Sequence, residues 1–441
     1  MHGVKRMKLI ASLLFISLTV SACGGSGGSE KTPADEAKAA VAKKELSGTL
    51  VVWGDSPAVS EAFMKLHPNV KIESSAPKEH VDAVVVALAA GNGAPDVARV
   101  WEAHLWKFGT ASGLEDLYAP PYNAKELEKD FLPAAWNLSK SMDEKRLIGL
   151  PYTYSPYVML YRNDIFEQNG FPSKPDEVSK FVSDPENFFD MAKKLRQKGH
   201  YMFRRLSEVT DIAAPHTSFY DRSMKYLRNG DTYVKAIDFA KRAAQLDLAF
   251  TASKEETDQA LNSGKLITYF NLLGSLGSFY EKGGNKADNM GNWRLAQLPL
   301  GSAKGWGFDV YVIPSQGKNK EAAWEYAKFA AMSEVATEEY VKSLRLSPYM
   351  PSWELPAVKN NSIAGFGGQN AAAFGVEAIK KSQMSPRTPA YADASKIWAE
   401  MLEEGIKKNQ DSRAILTQIE ETMERQLNGL KADIQKSLGT K

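Results

Sequence analysis

Residues 48–101 read GTLVVWGDSPAVSEAFMKLHPNVKIESSAPKEHVDAVVVALAAGNGAPDVARVW. Within this stretch TLVVW, VKIE and DVARVW are short runs rich in β-branched residues and bounded by Gly, Pro, Asn and Asp, the pattern of strands. Between the first two, Ser56 followed by Pro57 starts a helix through Leu66, because proline's fixed φ suits the first helical turn. Between the second and third, an apolar segment from about Lys78 to Ala90 forms a helix that Gly91 to Pro95 ends. The order is βαβαβ, and such alternation predicts a mostly parallel sheet covered by helices on both faces. Ligands of sheets of this kind gather at the carboxyl ends of the strands, here Trp53 to Ser56 and Trp101 to His104.

Upstream, residues 1–22 carry a basic stretch with Lys5, Arg6 and Lys8, then an apolar run from Leu9 to Val20. That run is about 12 residues, short of the roughly 20 that a permanent membrane helix needs, so it is expected to be a removable secretion signal. Cys23 is the single cysteine of the chain, so no internal disulfide is available, and it follows the signal directly. The string LTVSAC, residues 18–23, resembles the lipobox of bacterial lipoproteins, which implies that Cys23 becomes the lipid-bearing first residue and attaches the protein to the outer face of the cell membrane. Residues 24–45, GGSGGSEKTPADEAKAAVAKKE, lack any aromatic and cannot bury a core. Residues 23–46 are therefore expected to be a flexible tether.

The formal net charge of +2 becomes −1 once Lys5, Arg6 and Lys8 leave with the signal. No basic tail or Lys/Arg cluster remains to argue for nucleic acid. With 43% hydrophobic and 10% aromatic residues, the chain beyond the tether suffices for two lobes of ordinary domain size.

LHPNVKIE (66–73), GNGAPDV (91–97), SGLEDL (112–117), IGLPYTYSPYVMLYRNDIFEQNGF (148–171) and GWGFDVYVIPSQGKNKEAAWEYAKFAAMSE (305–334) occur in this order. Together they resemble the extracellular solute-binding proteins of family 1, the carbohydrate receptors of ABC importers. The resemblance implies an α/β, two-lobed periplasmic-binding-protein-like fold with discontinuous lobes, hinge strands and a ligand cleft between the lobes. It divides the chain into residues 47–154 with 309–346, and 155–308 with 347–441, with hinges near 152–158, 306–310 and 346–351. It implies a monomer that hands a mono- or oligosaccharide to importer membrane subunits and needs no cofactor or metal. Asn271, Leu272 and Leu273 stand where many members carry an aromatic residue, and residues 199–228 match nothing in the family pattern.

A sugar presents apolar C–H faces and a rim of hydroxyls, so its binder needs flat aromatics for stacking and polar groups for paired hydrogen bonds. The strand ends offer this mixture four times: Trp53 with Asp55, Trp101 with Glu102, Tyr152 with Tyr154 after the IGLP turn, and Trp306 with Asp309. Asn271 and Arg345 complete the candidate set, with Tyr157 beside them. A Trp near a strand often packs in a core instead; Arg345, Tyr349 and Trp353 either line the third crossing between the lobes or pack there, and packing is favoured for Trp353. Asp55 and Asp309 also suit cap or hinge positions.

No His pair has metal-ligand spacing, no phosphate loop and no GxGxxG before a helix occurs, and GxSxG appears only as GGSGG (24–28) in the expected tether, not as a nucleophile elbow. Two alternatives stand beside the sugar receptor. One is a polyamine receptor built from Asp55, Glu102 and Asp309 with the tryptophans. The other is a secreted glycoside hydrolase, which needs only two carboxylates flanking a sugar.

Overall fold

The structure, a computed structural model, describes residues 45–108, 113–215, 218–250, 253–276 and 291–439. The secretion signal, Cys23 and nearly all of the tether lie outside them.

Seven strands form one sheet: β1 (Gly48–Trp53), β2 (Val70–Ser74), β3 (Val97–Trp101), β4 (Leu150–Arg162), β5 (Thr268–Leu272), β6 (Trp293–Ala296) and β7 (Lys304–Val312). Their order is β2-β1-β3-β7-β4-β5, with β6 also paired to β4. The βαβαβ start forms as its sequence dictates. Helix Pro57–Leu66 begins at Pro57, and helix His80–Ala90 stops at Gly91, whose φ of 76° is the left-handed conformation that ends helices cheaply only at glycine. β1 pairs in parallel with β2 and β3.

The sheet as a whole departs from the mostly parallel one that alternation predicts. β3–β7, β7–β4, β4–β5 and β4–β6 are all antiparallel. The reason is that β4 and β7 are not members of successive βαβ units. They run side by side as a long ribbon, and each contributes one end to each half of the molecule. β4 pairs with β7 from Leu150 to Tyr157, then with β5 and β6 from Tyr157 to Arg162. Its side chains are buried almost without interruption, as expected of a strand covered on both faces.

Two cores flank this ribbon. One gathers Leu50, Val52, Phe63, Trp136, Tyr311 and Tyr326 around β1–β3. The other packs Phe166, Phe188, Phe203, Ile237, Leu402 and Ile419 beneath β5 and the C-terminal helices. A third apolar cluster, with Val100, Tyr154, Leu160, Leu273 and Leu346, follows the crossing strands between them. Tyr154 marks the waist: it pairs with Phe308 on one side and Leu346 on the other. The Tyr154 amide donates to the Leu346 carbonyl at 2.6 Å, and the Leu346 amide donates back at 3.2 Å. Three chain segments thus cross at one point, and the fold is two-lobed α/β. Among the described residues no helix is long and apolar enough to cross a membrane.

Candidate ligand-binding site

A cavity of about 290 Å³ opens at the waist, where β3, β4 and β7 meet the start of the segment after β5. Arg99, Trp101, Asp309 and Arg345 line it together with Tyr154 and Phe308. Strand periodicity puts Arg99 and Trp101 on one face of β3, since side chains alternate. The antiparallel register sets Trp101 opposite Asp309 on β7, and Thr153 of β4 lies across from Asp309 on the other side. Gly307 sits beside the Trp101 indole at φ 92°, a left-handed conformation that favours glycine, and a Cβ there would press on Leu272 at 3.2 Å. Gly305 leaves room for the Tyr154 phenol, whose oxygen a Cβ would meet at 1.6 Å. That phenol then shares a 2.7 Å hydrogen bond with Ser382.

The polar groups are pre-oriented. Asp309 accepts from the Tyr152 hydroxyl at 3.3 Å and from Thr153 Oγ1 at 3.4 Å. The Tyr152 phenol and then Asp309 hold Arg99 more firmly in its charged form, against the opposing effect of burial. Burial, reinforced by the Asp309 carboxylate, pushes the Tyr152 phenol well up, so it remains a neutral donor. A guanidinium beside a carboxylate, next to an indole that is 42% exposed, supplies donors, an acceptor and an apolar platform within one cavity.

The structure sorts the candidate residues. Trp101, Tyr154, Asp309 and Arg345 line the waist cavity. Tyr152 does not: it is 2% exposed, with its ring 4.3 Å from that of Tyr311, and only its hydroxyl reaches Asp309. Asp55 is occupied at the β1–helix turn, accepting from Ser60 at 2.6 Å and Ser74 at 2.7 Å. Asn271 closes on its own strand, donating to the Tyr269 oxygen at 3.1 Å and accepting from the Leu272 amide. Trp53 is half-buried against the crossing cluster. Tyr157 donates to the Phe270 carbonyl, Tyr349 packs on Phe131, and Trp353 is buried with its Nε1 donating to the Ser347 carbonyl at 2.8 Å. Glu102 opens a short helix and Trp306 sits in β7; their side chains, like Cys23, lie outside the described residues.

A second cavity, of about 370 Å³, lies between the start of β7 and helices Leu206–Ala213 and Tyr391–Lys407. Lys304 at the start of β7, Arg205 and Asp211 at the ends of helix Leu206–Ala213, Arg228, and Tyr391 and Trp398 on helix Tyr391–Lys407 line it. Arg387 connects the two cavities, its guanidinium 5.9 Å from the Trp101 ring centre and 4.4 Å from that of Tyr391.

The family pattern described as bacterial extracellular solute-binding protein matches residues 58–364. The chain belongs to this family. It is therefore a solute receptor rather than an enzyme. A curated relative, the arabinooligosaccharide-binding protein of Bacillus subtilis (strain 168), is 24% identical over 280 residues, covering 60% of this chain and 63% of its own length. The sugar-binding protein MalE from Xanthomonas citri superposes with a TM-score of 0.69 at 17% identity, over 89% of this chain and 98% of that one. The galacto-N-biose-/lacto-N-biose I-binding protein of Bifidobacterium longum gives 0.67 at 18%, over 89% and 98%.

For this solute-binding protein the sequence reading passed over Arg99, although it lies inside the strand that decided the fold. It also passed over the whole second cavity. Part of that cavity comes from residues 199–228, which match no family pattern. A signal for the rest was present: Tyr391 and Trp398 are seven residues apart, two turns along one helical face, and Arg204–Arg205 precede a helix.

Proposed function

We propose that this receptor captures a carbohydrate between its lobes and delivers it, by lobe closure, to the membrane subunits of an ABC importer, held at the membrane by a lipid on Cys23. The observation that carries the reading is the exposed Trp101 indole lining one cavity with Arg99 and with Asp309, which the Tyr152 hydroxyl holds, at the point where the lobes cross. That is the combination a sugar's apolar face and hydroxyl rim require. The names of its relatives point the same way, since one binds arabinooligosaccharides and another was solved with lacto-N-biose. A ligand touching both the Trp101 side and the Arg387–Tyr391 side favours the closed arrangement and shifts the population toward it. The lobes in this reading are residues 47–154 with 309–346, and 155–308 with 347–441.

The polyamine alternative has less support. The described residues of both cavities carry more Arg and Lys than Asp and Glu, the wrong sign for a polycation. The hydrolase alternative needs two carboxylates at the sugar, and among the described residues lining the waist cavity Asp309 is the one carboxylate. Thermal-shift screening of the mature chain carrying Cys23→Ser, against saccharides, polyamines and metal ions, tests the reading, because a ligand that binds only the native state raises the melting temperature. Stabilisation by spermidine with none by any saccharide would refute it.

A further inference from the structure

The second cavity has its charges arranged by depth. Its acidic side chains are near solvent and already paired: Asp211 lies 3.7 Å from Arg205, and the exposed Glu403 binds Lys407 at 2.7 Å. Its buried charges are cationic. Lys304 is 4% exposed and Arg228 is 9% exposed. The Arg228 guanidinium is held against aromatic faces, 3.7 Å from the Phe219 ring centre and 5.0 Å from that of Trp398. The Lys304 ammonium donates to the Asp211 main-chain carbonyl, a neutral oxygen that does not cancel its charge. The Asp211 carboxylate, shared with Arg205, offsets that charge only in part; Lys304 and Arg228 repel each other, and a buried ammonium without a full counter-charge is unfavourable until one arrives.

We propose that this cavity receives the anionic group of an acidic saccharide, a ring carboxylate in the first instance. The proposal rests on the carbohydrate-receptor reading and specifies the class of carbohydrate. A carboxylate is planar and accepts parallel N–H bonds from a guanidinium fixed by its aromatic neighbours. An ammonium alongside supplies a point charge, and the partly exposed Tyr391 ring lines the same cavity. Arg387 ties this subsite to Trp101, so an oligosaccharide spanning both cavities places its neutral residue on Trp101 and its acidic residue on Lys304 and Arg228.

Burial, with Arg228 adding to it and Asp211 opposing it, pushes the Lys304 ammonium down to about 7. Arg205, Glu403, Tyr391 and, in register on β4, Tyr157 are the other ionisable groups around it. An incoming carboxylate reverses this depression, so binding at pH 8 draws about one proton from solution. A purely structural lysine produces no such uptake.

The test uses the mature Cys23→Ser chain and matched acidic and neutral probes: galacturonides, glucuronides and mannuronides of one to three units, their neutral counterparts, glucose 6-phosphate and spermidine. Calorimetry at pH 8 in buffers of different ionisation enthalpy reads affinity and proton uptake together. The expected result is at least tenfold tighter binding of one uronide than of its neutral counterpart, with proton uptake. Both the preference and the uptake should disappear in Lys304→Met, which keeps an apolar side chain of similar length at the site. Arg228→Gln should lose the preference while remaining folded by circular dichroism. Equal or tighter binding of the neutral saccharide overturns the proposal and leaves the carbohydrate reading standing. Tighter binding of glucose 6-phosphate, or no uronide binding at millimolar concentration, also overturns it. Spermidine binding without any saccharide overturns both.

Discussion

Replacing Lys304 by Met should change how folding stability depends on pH, independently of any ligand. Burial pushes the ammonium down to about 7 in the folded chain from the 10.5 of a solvated lysine. Between those values the unfolded chain holds a proton that the native chain does not, so stability rises with pH across this window. The destabilisation is fully present below pH 7 and is relieved progressively above it. The slope approaches about 1.4 kcal/mol per pH unit, which amounts to about 3 kcal/mol between pH 7 and 9.5. Buried tyrosines such as Tyr311 and Tyr326 are shifted upward by burial and act in the opposite sense at higher pH, but they are common to both proteins and cancel in the difference. Urea unfolding followed by Trp fluorescence, at half-unit steps from pH 6.5 to 9.5, provides the two curves. The parent should lag behind Lys304→Met most at pH 6.5 and close on it by about 3 kcal/mol between pH 7 and 9.5. Curves parallel to within about 0.5 kcal/mol would refute a buried, incompletely neutralised Lys304 and with it the charged floor of the second cavity.

Three further outcomes follow from the waist. Trp101→Ala should weaken the best saccharide hit by roughly thirtyfold, about 2 kcal/mol, while moving the urea midpoint little; a loss of stability above about 3 kcal/mol with unchanged affinity would make Trp101 a core residue. Tyr152→Phe removes the hydroxyl that donates to Asp309, so it should lower stability by about 1 kcal/mol and weaken saccharide binding several-fold by calorimetry, although the ring never touches the ligand; unchanged affinity would separate Asp309 from the site. Gly305→Ala sets a methyl against the Tyr154 hydroxyl and should cost about 1–3 kcal/mol in urea unfolding, part of which the second change Tyr154→Phe returns by deleting that oxygen; no loss in the single variant would show that the waist yields to the methyl.

What was legible in the sequence followed local rules. The βαβαβ start could be read because proline, left-handed glycine and β-branched runs act over a few residues, and residues 48–101 carry all three signals. The antiparallel ribbon could not be read by those rules, since pairing of β4 with β7 joins residues about 150 positions apart in sequence. The same distinction governs the site. Trp101 and Asp309 stood out as an aromatic and an acid near strand ends, and the register that faces them across the sheet is a tertiary fact. Tyr152 looked the same on paper, yet at the irregularity of β4 between Pro151 and Thr153 its ring packs into the core against Tyr311, leaving only its hydroxyl for Asp309. Lys304 gave no sign at all, because a lysine opening a strand is ordinary until helix Leu206–Ala213 and helix Tyr391–Lys407 close over it. Its burial has no counterpart in local propensity, and it is maintained although it opposes folding, most strongly below pH 7. A destabilising charge at the wall of a cavity, beside aromatic faces and a second cation, is better understood as serving a ligand than as serving the fold.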